Sequence, residues 1–154
     1  MMQPTQYAHV NALLDDLLSR MQTVLGQKLV GLYLYGSLVM GDFDDNSSDI
    51  DLLAATAADL DAAEFDALHK MQDELVLHYP HWVGRLEIAY VSIHALKTYK
   101  TQTSPIAVIS PGEPFHIKEA GKDWLINWYM VREKGVTLFG PPPEAVIDPV
   151  SKDE

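Results

Sequence analysis

The chain has 154 residues, 47% of them hydrophobic and 21% charged, with 11 basic against 22 acidic side chains and a formal charge of −11. This is the length of one domain with a core of its own, and the balance excludes a collagen-like or wholly disordered chain. The lack of cysteine excludes disulfide frameworks, thiolate zinc sites and cysteine nucleophiles, and the acid excess argues against general binding to nucleic acid, which needs clustered Lys and Arg.

Residues 4–25 place Tyr7, Val10, Leu14, Leu17, Met21 and Val24 at three- and four-residue steps, which predicts a one-faced helix with Pro4 in its first turn and Gly26 at its end. Residues 28–35, KLVGLYLY, predict a buried strand closed by a turn at Gly36-Ser37. A polar loop follows, and then DIDLLAA at 49–55 predicts a second strand that opens with carboxylates. Helical spacing returns over 58–79 and is broken at Pro80. RLEIAYVS at 85–92 predicts a third strand and IHALKTY at 93–99 a short helix. Residues 105–121 are rich in Pro and Gly, with a short strand expected at 106–110. A helix is expected over 122–134, with Trp124, Trp128, Met130 and Val131 as its buried stripe, then a short strand at 136–139. The tail after Gly140-Pro-Pro-Pro has no buried pattern of its own. The expected fold is α/β (α+β): one compact domain built on a mixed sheet flanked by helices. No apolar run approaches the ~18 residues of a membrane span. The N-terminus is not a secretory signal, so a cytoplasmic protein without membrane contact is expected.

The chemistry concentrates between Gly36 and Asp51. Gly36-Ser37 is followed by eleven residues and then Asp49-Ile50-Asp51. Alternation along a strand puts Asp49 and Asp51 on one face. Two carboxylates that close repel each other, and a divalent cation resolves the repulsion. Hard oxygen ligands select Mg²⁺ or Mn²⁺. A glycine at a strand end lets the backbone approach a phosphate, and Ser37 adds an N–H and a hydroxyl. Glu87 is the third acid. It lies in an otherwise apolar strand and shares a face with Ala89 and Val91; the alternative is a solvated glutamate on an edge strand.

The run LYLYGSLVMGDFDDNSSDIDLLAA resembles the signature of the nucleotidyltransferases: Gly-Ser, a spacer, Asp-x-Asp and a later acid on a neighbouring strand. Within that superfamily the chain is most similar to the aminoglycoside adenylyltransferases that modify streptomycin and spectinomycin, and VREKGVTLFGPPPEAVIDPV, Val131 to Val150, is similar to the end of their catalytic domain. The resemblance implies metal-dependent transfer of AMP from the co-substrate ATP to a hydroxyl of a small, cationic molecule. It implies that Ser37 and Ser48 contact the β- and γ-phosphates, that Asp49 and Asp51 bind Mg²⁺ with Glu87 beside them, and that Glu87 is the general base. Asp123 matches a position near the adenine; equally, it reads as an acid complementing a helix N-terminus. The resemblance further implies a catalytic domain over 1–145 and a tail over 146–154. The helical domain that follows in the family is not in this sequence, and the alternative expectation is a non-catalytic module that binds a nucleotide or a partner.

Other chemistries fit less well. Acids that precede the apolar part of a strand have the reverse polarity of a haloacid-dehalogenase-type phosphatase, and neither a Walker loop nor a Gly-x-Ser-x-Gly elbow occurs. The six histidines do not form a zinc spacing. The acidic loop at Asp42, Asp44 and Asp45 reads as a solvated surface or as an attractor of cations.

Overall fold

Side-chain periodicity separates the helices that cover the sheet from the strands that build it. The computed structural model describes residues 7–36, 49–82, 85–98, 104–109, 116–120 and 125–147. Helix α1 (Ala8–Leu25) buries Val10, Leu13, Leu14, Leu17, Met21 and Leu25, the stripe that its three- and four-residue spacing sets. Gly26 ends it. Pro4 lies outside the described residues.

Strands β1 (Leu29–Tyr35) and β2 (Ile50–Thr56) pair antiparallel. Helix α2 (Ala62–His78) then carries the chain to β3 (Leu86–Ser92), which runs parallel to β2. A parallel neighbour requires such a crossover. Helix α2 starts four residues later than its apolar spacing suggests, because Asp61 caps it. The Glu64 N–H donates to Asp61 Oδ1 at 2.8 Å, and the Asp61 N–H donates back to Glu64 Oε1 at 2.9 Å. Lys28 Nζ donates to the same Glu64 oxygen and to the Asp59 carbonyl, both at 2.6 Å, which ties the cap to the root of β1.

Helix α3 (Ile93–Thr98) follows β3 directly, and β4 (Ser104–Ile109) and β5 (His116–Ala120) add two antiparallel strands. Helix α4 (Leu125–Lys134) leads into β6 (Val136–Phe139), which pairs with β1. The mixed sheet has the order β5-β4-β3-β2-β1-β6. Strand β5 lies in the Pro- and Gly-rich stretch where the sequence suggests only one short strand. Five residues flanked by turn formers carry too little alternation to stand out.

Alternation gives the sheet two buried faces. Leu32, Leu34, Leu52, Ala54, Leu86, Ile88 and Tyr90 meet α1 and α2. Tyr33, Tyr35, Leu53, Ala55, Ala89 and Val91 meet Trp128, Val131, Val146 and Ile147. Val146 and Ile147 are thus core residues, contrary to the expectation of a tail without a buried pattern. They are recruited by the sheet, not by a periodicity of their own. Gly140, at φ +88°, makes the bend that admits them; a side chain there would run into the backbone of Val30 and Gly31. The Tyr33 hydroxyl donates to the Pro141 carbonyl at 2.8 Å and fixes the bend to the sheet. Among the described residues no helix is long and apolar enough to cross a membrane.

Candidate active site

The parallel register of β2 and β3 pairs Asp51 directly with Glu87. The antiparallel register of β1 and β2 pairs Tyr35 with Asp51. Three polar side chains therefore form one row across β1, β2 and β3, on the face that carries Trp128 and Val131. The Ile50 N–H donates to the Arg85 carbonyl at 2.8 Å, which locks the mouths of the two parallel strands together and keeps the acids level.

Strand β3 lies between β2 and β4, so Glu87 is not a solvated acid on an edge strand. Its carboxylate accepts a hydrogen bond from the Asp51 carboxyl. Burial, that bond, and the charges of Glu87 and Asp49 push Asp51 up from its ordinary 3.8 to about 7. Two acids sharing a proton in this way form a donor set suited to a hard divalent cation, which would take the place of the proton. Asp49 stands just ahead of β2 and is felt by Asp51 through its charge. Among the described residues no three acidic or histidine side chains already stand as a cation cage. The Asp51–Glu87 pair, with Asp49 nearby, is what they offer.

Gly36 closes β1 with its backbone against the Asp51 side chain. Its φ is +85°, and a Cβ added there would collide with Asp51 Oδ2 and lie 3.2 Å from its Cγ. The backbone at Gly36 thus passes directly over one carboxylate, which only glycine allows. Ser37, Ser48 and Asp123 lie outside the described residues, as does Trp124.

Tyr35 and Asn127 are members of this neighbourhood that the motif does not point to. Tyr35 is 4% exposed, and its hydroxyl accepts a hydrogen bond from Asn127 Nδ2 on α4 at 3.4 Å. Burial raises the Tyr35 hydroxyl pKa, the Asn127 bond opposes the rise, and Asp51 and Glu87 add to it, so the phenol stays neutral beside the acids. Strand parity puts Tyr35 on the face of Tyr33, but no spacing rule links it to Asn127.

The structure of the spectinomycin adenyltransferase AAD(9) from Enterococcus faecialis, determined with ATP and spectinomycin, matches with a TM-score of 0.74 at 13% identity, over 92% of this chain and 61% of that one. The fold is of the nucleotidyltransferase type. The chain thus spans about three-fifths of the length of that enzyme. Two toxin–antitoxin structures match at a TM-score of 0.44. One is with AMP-PNP, at 18% identity over 82% of this chain and 73% of that one; the other is a tri-AMPylated Shewanella oneidensis HEPN toxin in complex with MNT antitoxin, at 16% identity over 87% and 75%. No protein-family model matches the chain, and no curated protein matches it by sequence.

Proposed function

We propose that the chain is a nucleotidyltransferase that moves AMP from ATP to a hydroxyl of a small cationic molecule, releasing pyrophosphate. The observation that carries this reading is the Asp51–Glu87 pair, held in register on adjacent parallel strands under the Gly36 turn. The adenyltransferase-like fold supports it, and a formal charge of −11 suits a cationic acceptor such as spectinomycin.

Asp49, Asp51 and Glu87 would hold Mg²⁺ or Mn²⁺, which supplies charge neutralisation at the phosphates and acidifies the attacking hydroxyl. The Gly36 turn lets backbone approach the triphosphate, with Ser37 and Ser48 assigned to the β- and γ-phosphates and Asp123 to the neighbourhood of the adenine. The acceptor oxygen forms a bond to the α-phosphorus as the bond from that phosphorus to the β-phosphate oxygen breaks. The hydroxyl proton passes to the Glu87 carboxylate, and pyrophosphate leaves with the electron pair of the broken bond.

Pyrophosphate release from ATP and Mg²⁺, measured with a panel of aminoglycosides and spectinomycin, tests the reading. Acceptor-dependent release by the wild-type chain, abolished in Asp51→Asn, is the expected result. ATP binding without release on any acceptor would instead favour a nucleotide-binding module.

A further inference from the structure

We propose that Asn127, oriented by Tyr35, binds a ribose hydroxyl of the nucleotide held at the Asp51–Glu87 pair. The inference rests on the nucleotidyltransferase reading above and adds to it a residue outside the motif.

The geometry begins with Tyr35. Its ring is buried on the acid-bearing face, directly opposite Asp51 across the β1–β2 ladder, and its hydroxyl takes one N–H of the Asn127 amide. A primary amide has two N–H donors and one carbonyl acceptor, so one donor and the whole acceptor remain. Among the described residues the Asn127 side chain makes no hydrogen bond other than the one to Tyr35. Asn127 is half-buried, unlike its neighbour Trp128 at 1% exposure, and its bond to the buried Tyr35 hydroxyl orients the amide from the core side.

The chemistry of the amide edge selects the occupant. A donor beside an acceptor complements a group that both gives and takes a hydrogen bond. A hydroxyl does so, whereas a phosphate oxygen only accepts. The amide is neutral, and it stands near two carboxylates whose charges Tyr35 feels. If the α-phosphorus is held at those carboxylates, the ribose, joined to it through the 5′ oxygen, is tethered within a few bonds of them, in the neighbourhood that Tyr35 and Asn127 share. Tyr35 is then a positioning residue, spending its hydroxyl to hold the amide in one rotamer, and Asn127 is the residue that touches the ligand.

The test is titration calorimetry of ATP, 2′-deoxy-ATP and 3′-deoxy-ATP, each with Mg²⁺, into the chain and its variants. Asn127→Ala should weaken ATP about fivefold, the loss of one neutral hydrogen bond. It should leave the deoxynucleotide that lacks the recognised hydroxyl nearly unchanged, so that discrimination between the two disappears. A general loss of structure would weaken all three nucleotides alike. Tyr35→Phe should weaken ATP about twofold, and adding it to Asn127→Ala should weaken ATP no further, because the hydroxyl acts only through the amide. Unchanged ATP affinity in Asn127→Ala, or equal weakening of all three nucleotides, overturns the assignment while the wider reading stands. Failure of the wild-type chain to bind ATP with Mg²⁺ overturns both.

Discussion

Replacing Asp51 by Asn should stabilise the chain at neutral and alkaline pH while destroying its proposed activity. The Asp51 carboxyl is raised from 3.8 to about 7 by burial, by the bond to Glu87, and by the Glu87 and Asp49 charges. A shift of that size has a ceiling of about 4 kcal/mol at ~1.4 kcal/mol per pH unit. Asp51 is only half-buried, and solvent screening reduces the expected cost to about 1–2 kcal/mol. The sign follows from proton linkage. Below about pH 4 the folded and unfolded chains both carry the proton, so nothing is lost. Between about 4 and 7 the unfolded chain releases its proton first, and native stability falls as pH rises. Above about 7 the full cost is present. Asn has no proton to lose, and its amide can still donate to Glu87. Urea unfolding of the two proteins at pH 4 and pH 8 measures the effect. Asp51→Asn should be more stable by about 1–2 kcal/mol at pH 8, or about 2–8 °C in Tm for a domain of this size, and the gain should vanish at pH 4. Equal stability at pH 8, or the same gain at both pH values, would refute the repulsion argument. Mg²⁺ should raise the Tm of the wild type and leave that of Asp51→Asn nearly unchanged.

Three further substitutions probe the frame around the acids. Gly36→Ala puts a side chain at φ +85° and against the Asp51 carboxylate, so it should cost at least about 1–2 kcal/mol from the backbone alone; a neutral result in urea would show that the turn is not pressed onto Asp51. Trp128→Ala removes a fully buried ring from the core on the acid-bearing face and should cost about 3–5 kcal/mol; a loss below about 1 kcal/mol would mean that α4 is not anchored there. Asp61→Ala breaks the capping box of α2 and should cost about 1 kcal/mol, which a urea titration resolves; no loss would mean that the cap does not hold the helix start.

What the sequence makes legible is set by the range of the interaction. The stripe of α1 and the alternation of β1, β2 and β3 are local patterns, and they mark the elements that form the centre of the sheet. The same parity put Asp51 and Glu87 each on a definite face of its own strand. That the two faces coincide, and that residue 51 stands opposite residue 87, depends on a parallel register that only the packed α2 crossover determines. Strand β5 and the burial of Val146 and Ile147 were hidden for a related reason. Short segments take their state from the sheet edge or the core they join. The Tyr35–Asn127 bond joins residues 92 apart in sequence, and no motif spacing encodes it. The capping box of α2 is a local pattern of four residues, Asp61 to Glu64, but apolar spacing alone carried the expected helix past it to residue 58.

The most direct test of the central claim compares ATP binding with AMP transfer in Glu87→Gln. The amide keeps the shape of the side chain and removes its capacity to take a proton. With an acceptor that the wild-type chain adenylylates, the account predicts that Glu87→Gln still binds ATP with Mg²⁺ but forms no AMP-modified product above background. Product formation by Glu87→Gln at the wild-type rate would contradict the account.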